Sequence, residues 1–276
     1  MASTKISTEH LAAGHRDASF RAISNVLSTD IALETYAQII DGLPLSHAAL
    51  DRYRHKMHPK HPVDSHHELC PGAFEKAIEA REAFNIDSLR FDSQLLQTYQ
   101  SASIGTRQYL LRLLELTAVA LHQIAVYLFQ EAASIHDLHH PQGSGFTIHD
   151  ATVWERPPDM WLREAPWPTL FTHPGFTTVE QYPDGVADMA AYWVEDRILG
   201  GVLLFDRSQS WDHEDEPNAF FSICAAQANS PHLSTLRRSA TGTSGLHHCT
   251  PRKLGLEAMS ITITLFARKY DAHRPE

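Results

Sequence analysis

The segment from Thr106 to Pro141 constrains the fold more than any other part of the chain. Leu110, Leu114 and Leu121 recur at helical intervals, so they lie on one face of a helix. Most of the remaining circumference is also apolar, which is typical of a central core helix or of a membrane span. A span needs about 20 uninterrupted apolar residues, whereas charged residues leave only the stretch 116–130 here. We therefore predict a buried core helix, with Leu114 and Leu121 fully buried, and no association with a membrane.

The apolar spacing changes from a helical period to a strand period near Pro141. Before this point the chain reads as short helices joined by short loops. After it, the best predicted strands are Met189–Val194 and Ile198–Phe205, joined by a hairpin, with shorter strands at Phe146–Val153 and Thr177–Tyr182. We predict an α+β fold with an N-terminal helical layer around one long buried helix, followed by a small antiparallel β-sheet.

The predicted domain boundaries follow from the same patterns. A single α+β domain is expected over 1–221, with a helical part at 1–140 and a sheet part at 146–206. The segment 222–276 is rich in Ser, Thr, His and Gly in its first half. Such a composition predicts a loosely ordered C-terminal tail.

Composition limits the partners and the compartment. The chain has 23 Lys and Arg against 33 Asp and Glu, a formal net charge of −10. Nucleic-acid binding needs a basic surface, so no nucleic-acid partner is expected. The three cysteines form no C-x-x-C pair, which argues against a disulfide framework and a cysteine zinc knuckle. The N-terminal residues lack the apolar segment of a secretory signal, so a cytoplasmic, soluble protein is expected.

Histidine is enriched to 19 residues, several of them in two clusters. The first cluster lies in a loop at 53–72 that is broken by two prolines. The second lies at the end of the long helix, from His136 to His140. If helix packing brings the clusters to one end of the fold, they would form the rim of a pocket. The candidate catalytic residues are the members of these clusters, namely Asp64, His66, His67, His136 and His139.

These clusters are also the candidate metal ligands. A transition metal is held by three or more neutral imidazole or carboxylate groups. His66, His139 and Asp64 would combine two histidines with a carboxylate, as in non-haem iron sites. Iron, zinc and copper are all candidate cofactors. The other interpretation is that proline-flanked histidines are surface residues, and Cys70 is interpreted as structural because catalytic Cys–His pairs are not adjacent in sequence.

A polar stripe also runs along the long helix. Arg112, Glu115 and His122 fall on one face at helical intervals. One interpretation is an ion pair beside a core histidine that has its own hydrogen-bonding partners. The other is that Glu115 and His122 face a polar cavity.

Two segments of the chain resemble known sequences. They are HPKHPVDSHHELCPGAFE at 58–75 and DMAAYWVEDRILGGVLLFDR at 188–207. Both resemble a group of filamentous-fungal proteins associated with secondary-metabolite gene clusters, over roughly residues 40–221. The resemblance implies a role in such a pathway and brings no activity with it.

Two functional hypotheses follow. The first is an accessory biosynthetic enzyme that acts on a small polyketide, terpenoid or peptide intermediate. Its His and Asp residues would serve as metal ligands in an oxygenase, or as general acids and bases in a cyclase or isomerase. The second is a non-catalytic accessory or interaction protein of the same pathway, because the chain has no G-x-G-x-x-G, P-loop, G-x-S-x-G or H-E-x-x-H motif. The oligomeric state stays open.

Overall fold

The computed structural model describes residues 4–53, 62–132, 134–139, 168–205, 219–222 and 251–253. This part of the chain is mostly helical, with two small antiparallel sheets. The α-helices are α1 Ala13–Leu27, α2 Asp30–Asp41, α3 Ser46–Tyr53, α4 Ala73–Ala83, α5 Ser93–Ser101, α6 Arg107–Glu131, α7 Ile135–His139 and α8 Val186–Leu199. The strands are β1 Lys5–Ile6, β2 Phe91–Asp92, β3 Val202–Phe205, β4 Ala219–Ser222 and β5 Pro251–Lys253.

The chain divides into two compact units. The first comprises residues 1–29, 85–120 and 200–276, and the second comprises 30–84 and 121–199. The division falls within α6, so each unit contains one part of that helix. The expected single domain over 1–221 stays a prediction.

The first unit contains both sheets. Strands β1 and β2 pair antiparallel, and β3, β4 and β5 form a three-stranded antiparallel sheet in that order. The Tyr99 and Tyr109 rings stack, and the Tyr99 hydroxyl donates to the His15 carbonyl at 2.9 Å. Arg112 pairs with Glu115 within α6, both buried, as the ion-pair interpretation of the polar stripe expects.

The second unit is built around α2. This helix packs against α4, α7 and α8. The Tyr36 hydroxyl of α2 donates to the Leu121 carbonyl of α6 at 3.1 Å. Trp193 of α8 is fully buried and makes an edge-to-face contact with Phe171. The second unit therefore has its own apolar core, which fixes the helices that carry the candidate site.

Helix α6 is confirmed as a long core helix, with one correction. Leu121 is fully buried, but Leu114 is only half-buried, so the prediction that both are fully buried was wrong for Leu114. By length and hydropathy α6 could cross a membrane, yet 61% of its apolar window is buried inside the protein. This burial is consistent with a soluble protein.

Replacing Leu121 with alanine is expected to lower the free energy of unfolding by about 2–5 kcal/mol, because the cavity left in a fully buried site cannot fill with water. The same change at Leu114 should cost less, since that side chain is already partly solvated. Urea unfolding of the two variants checks this. Equal losses of unfolding free energy in the two variants would contradict the difference in burial between Leu121 and Leu114.

The predicted strand at Met189–Val194 was wrong, because these residues form the middle of α8. A short apolar run cannot be assigned to a strand or a helix from its periodicity alone. The alanines of this run favour a helix. Glu195 continues the helix instead of forming a hairpin, and its carboxylate contacts His122 inside the protein.

The predicted strand Ile198–Phe205 was correct only for Val202–Phe205, which form β3, because Ile198 and Leu199 still belong to α8. Residues 177–182 contain a 3-10 turn, Val179–Gln181, instead of a strand. The sheet extends past 206, since β3 pairs with β4 and β4 with β5. Strand β5, Pro251–Lys253, lies in the segment predicted to be loosely ordered, and the order of that segment stays a prediction. The predicted strand Phe146–Val153 lies outside the described residues.

Candidate metal centre

The loop before α4 is held by backbone hydrogen bonds and by one buried side chain. Val63 is fully buried and packs with Leu43 and Ala49. The Ser46 amide donates to the His66 carbonyl at 2.7 Å. With its backbone fixed in this way, the loop places the His66 side chain in the interior of the second unit.

A close approach between the end of α2 and the start of α7 brings His136 to this loop. The Ser134 hydroxyl donates to the Asp41 carbonyl at 3.0 Å. Gly42 has a φ of 88°, and a Cβ there would lie 2.3 Å from Ser134 Oγ. Helix α7 begins at the next residue after Ser134 and carries the half-buried His136. The second histidine cluster therefore reaches the first through a contact that only glycine permits.

Three side chains converge at this point: His66, Cys70 and His136. Each offers one atom that can bind a metal ion, and the three atoms lie within 4.8 Å of one another. The distance from Cys70 Sγ to His136 Nδ1 is 3.4 Å, and the two imidazole ring centroids are 5.0 Å apart. In a tetrahedral zinc site, a nitrogen ligand and a sulfur ligand are about 3.6 Å apart, from bond lengths of about 2.0–2.1 and 2.3 Å. The set therefore has nearly the spacing of a metal centre.

A fully buried carboxylate, that of Asp41, lies beside the three side chains. Its Oδ2 is 3.0 Å from His66 Nε2 and accepts a hydrogen bond from the Cys70 amide at 3.1 Å. Burial alone would raise the pKa of Asp41, but the interactions with His66 and Cys70 outweigh it and lower the pKa. Asp41 is therefore an anion at neutral pH, next to candidate ligands of a cation.

The same environment keeps the Cys70 thiol protonated when no metal is bound. Burial, followed by hydrogen bonding and charge repulsion from Asp41, raises the pKa of Cys70 to about 12. A thiol with such a pKa is a poor nucleophile at neutral pH, because only the thiolate reacts. A metal ion removes this obstacle, since coordination deprotonates the thiol.

An open cleft of about 430 Å³ lies against the same loop and is lined by residues 65–71. Its lining includes His66 and Cys70, although both side chains are largely buried. An ion held by these two residues would therefore lie next to a space that a small molecule can enter.

Only part of the predicted residue set comes together here. His66 and His136 belong to the converging set, while His67, Asp64 and His139 do not. His67 and Asp64 are exposed, and His67 Nδ1 is 2.7 Å from Ser46 Oγ. His139 is also exposed, with its Nε2 3.2 Å from the Pro71 carbonyl. His140 lies outside the described residues.

Sequence reasoning missed two members of the site. Cys70 was interpreted as structural, although it follows His66 by four residues in the proline-flanked loop. That spacing, in a loop already rich in candidate ligands, was the available signal. Asp41 is the last residue of α2, and its position gave no such signal, because an acidic residue at a helix end is ordinarily solvated.

A second polar cluster in the same unit is built on His122. Its Nδ1 is 2.7 Å from Glu195 Oε1 and its Nε2 is 2.8 Å from Asp188 Oδ1. Burial would lower the pKa of His122, but the two carboxylates raise it to about 9. Both ring nitrogens contact carboxylates. This agrees with the interpretation of the polar stripe as an ion pair beside a core histidine that has its own hydrogen-bonding partners.

Replacing Gly42 with alanine is expected to lower the free energy of unfolding by about 1–3 kcal/mol beyond the cost of the backbone conformation, because the new Cβ overlaps Ser134. Gly105→Ala is the matched control. Its φ of 86° is nearly the same, and no atom of the described residues lies within 4 Å of the added Cβ. Urea unfolding of both variants measures the difference. Equal losses would mean that the contact with Ser134 is not tight.

Comparison with known proteins gives no relative for this chain. No protein-family model, no curated protein sequence and no solved structure matches it. The resemblance to the fungal group therefore stays a prediction, and the function has to be argued from the site.

Proposed function

We propose that this chain binds one zinc ion through His66, Cys70 and His136. The observation that carries the proposal is the mutual approach of the three ligand atoms to within 4.8 Å, in the largely buried part of a loop and at the start of a short helix. Such a mutual approach of two imidazoles and a thiol is what a metal ion requires of its ligands.

The chemistry of the donors selects among the candidate metals. A thiolate favours zinc or copper(I) over magnesium, calcium and manganese. A two-histidine iron site needs a carboxylate as its third ligand, but the carboxylate of Asp41 lies outside the converging set and Asp64 is exposed. Zinc therefore fits this donor set better than iron, and copper is the second metal to test.

The number of ligands and the adjoining cleft favour catalysis over a purely structural role. The three ligands found among the described residues would leave one position of a tetrahedral zinc ion for water or substrate. When bound, zinc supplies Lewis-acid chemistry and lowers the pKa of a bound water to about 7. The open cleft along residues 65–71 would give a small molecule access to that position. We therefore propose a metal-assisted reaction on a small-molecule substrate.

The biological setting of the proposal comes from the sequence. The segment 58–75, which resembles the fungal group, contains His66 and Cys70. We propose an accessory enzyme of a secondary-metabolite pathway that acts in the cytoplasm on a polyketide, terpenoid or peptide intermediate. The fold that carries it is proposed to be α+β, with helices and the β3–β4–β5 sheet.

Metal analysis of the purified protein, followed by zinc titration against a chromophoric chelator, tests the site. Two matched pairs sharpen the test, since each compares a converging histidine with an exposed neighbour: His66→Ala with His67→Ala, and His136→Ala with His139→Ala. We expect about one zinc per chain, bound tightly by the controls and weakly by the two site variants. Equal affinity in all four variants would contradict the proposed ligands.

A second candidate function uses Cys70 as a nucleophile with His136 as its base. The Sγ–Nδ1 distance of 3.4 Å favours it. The raised pKa of Cys70 opposes it, because Asp41 and burial stabilise the thiol over the thiolate. Iodoacetamide labelling of metal-free protein at about pH 7 separates the two functions. Slow labelling supports the zinc site, and rapid labelling that His136→Ala slows would support the nucleophile.

The non-catalytic alternative is tested in the producing organism. Replacing the gene with a Cys70→Ser allele should cause a pathway intermediate to accumulate if the metal serves catalysis. An unchanged metabolite profile, with normal protein levels, would favour an accessory protein in which zinc is structural.

A further inference from the structure

We infer that Asp41 is the positioning residue of the zinc site: it accepts a hydrogen bond from His66 Nε2–H and so leaves His66 Nδ1 to bind the metal. This inference rests on the proposed zinc centre and names a member of the site that is not a ligand. It also assigns which nitrogen of His66 does the binding.

The geometry at His66 supports the assignment. Asp41 Oδ2 is 3.0 Å from His66 Nε2, and both side chains are almost fully buried. The Nε2–H is not aligned for a hydrogen bond with any residue that the structure describes, so the bond to Asp41 requires a change in the orientation of the ring or the carboxylate. A neutral imidazole carries one N–H, and a carboxylate beside one nitrogen fixes the proton there. Histidines that bind metals almost always donate their other N–H to a carboxylate, a carbonyl or water. With the proton held on Nε2, Nδ1 is the nitrogen whose lone pair would be available to a metal.

Asp41 also touches the other two segments that carry ligands. Its Oδ2 accepts from the Cys70 amide at 3.1 Å, and its carbonyl accepts from Ser134, two residues before His136. Asp41 therefore contacts the His66 side chain, the Cys70 backbone and the Ser134 side chain, and so touches each of the three segments that carry a ligand. A buried carboxylate is costly, and this arrangement explains why one stands here.

Direct coordination by Asp41 is the competing arrangement. Its Oδ1 is buried and makes no hydrogen bond to any residue that the structure describes. However, the carboxylate does not belong to the set of atoms within 4.8 Å of one another. Its Oδ2 is already engaged by the Cys70 amide. These two observations favour positioning over coordination.

The experiment combines one measurement on the unmodified protein with one pair of variants. Long-range ¹H–¹⁵N spectra of the zinc-loaded protein report which nitrogen of His66 carries the proton. Asp41→Asn removes the charge of the positioning carboxylate and keeps its shape. Asp188→Asn is the matched control, because Asp188 is also a buried carboxylate of the second unit that contacts a histidine, but lies outside the converging set.

We expect the proton of His66 on Nε2 and the metal on Nδ1. Asp41→Asn should weaken zinc binding by about 10–100-fold, with the visible spectrum of the cobalt(II)-substituted protein still that of an unchanged ligand set. Asp188→Asn should lower stability without changing zinc affinity. If Asp41 had only a structural role, Asp41→Asn would lower stability without changing zinc affinity, as Asp188→Asn is expected to do.

Three results would overturn the inference. The first is a His66 proton on Nδ1. The second is a zinc affinity of Asp41→Asn equal to that of the unmodified protein. The third is a cobalt spectrum changed by Asp41→Asn, which would make Asp41 a ligand. Failure of the unmodified protein to bind zinc or cobalt at all is a different result, since it removes the proposed function itself.

Discussion

Replacing Cys70 with serine is expected to weaken zinc binding by more than about 100-fold, because loss of an outer partner of a ligand alone costs about 10–100-fold. The serine hydroxyl does not ionise at neutral pH and is a poor ligand for zinc. The change replaces the sulfur atom with an oxygen atom and nearly keeps the size of the side chain. Competition with a chromophoric chelator measures the affinity.

The same variant also tests the protonation of the site. Because the pKa of Cys70 is raised to about 12, zinc must displace a proton from the thiol at neutral pH. Titration calorimetry in buffers of different ionisation enthalpy should therefore show fewer protons released by Cys70→Ser than by the unmodified protein. Unchanged affinity together with unchanged proton release would exclude Cys70 as a ligand.

Replacing His122 with alanine is expected to lower the free energy of unfolding by about 3–5 kcal/mol, because it leaves two buried carboxylates without their shared cation. Asp188 and Glu195 are seven residues apart on α8, two helical turns, so they lie on one face. His122 is 18% exposed and lies between them. A double-mutant cycle of His122→Ala with Glu195→Ala, followed by urea unfolding, measures the coupling. Coupling near zero would contradict the arrangement.

The stabilising effect of His122 should also depend on pH. Its pKa is raised from 6.5 to about 9 in the folded protein, a difference worth about 3 kcal/mol. This contribution is fully present below about pH 6.5, where the unfolded chain is protonated too, and is lost as the pH rises through about 9. His122→Gln should lack this loss, and the control His47→Gln, at an exposed position of α3, should retain it. An equal pH dependence in all three proteins would contradict the raised pKa.

The helical part of the second unit could be predicted well because its apolar residues keep a helical period. The long helix, its burial at Leu121 and the short helices before it all follow from that spacing. Helix α8 could not be predicted in the same way. In the sequence, Glu195 and Asp196 are typical of a hairpin turn, while in the folded chain Glu195 and Asp188 face His122. The helical spacing of these two carboxylates was the overlooked signal.

The candidate site could be predicted only in outline. The two histidine clusters were recognised, and the fold brings one histidine from each together. Which member of a cluster points inward depends on local packing, such as the buried Val63 that anchors the loop near His66. Cys70 joins the site through the fold, as a Cys–His contact between residues far apart in sequence. Asp41 joins it because Gly42 lets α2 approach Ser134 closely.

X-ray absorption at the zinc edge of the reconstituted protein tests the central proposal most directly, because it reports the donor atoms and their distances. The zinc centre proposed here predicts one sulfur at about 2.3 Å and two imidazole nitrogens at about 2.0–2.1 Å, with a light atom in the remaining position. A protein that retains no zinc, or a spectrum with no sulfur at bonding distance, would contradict it.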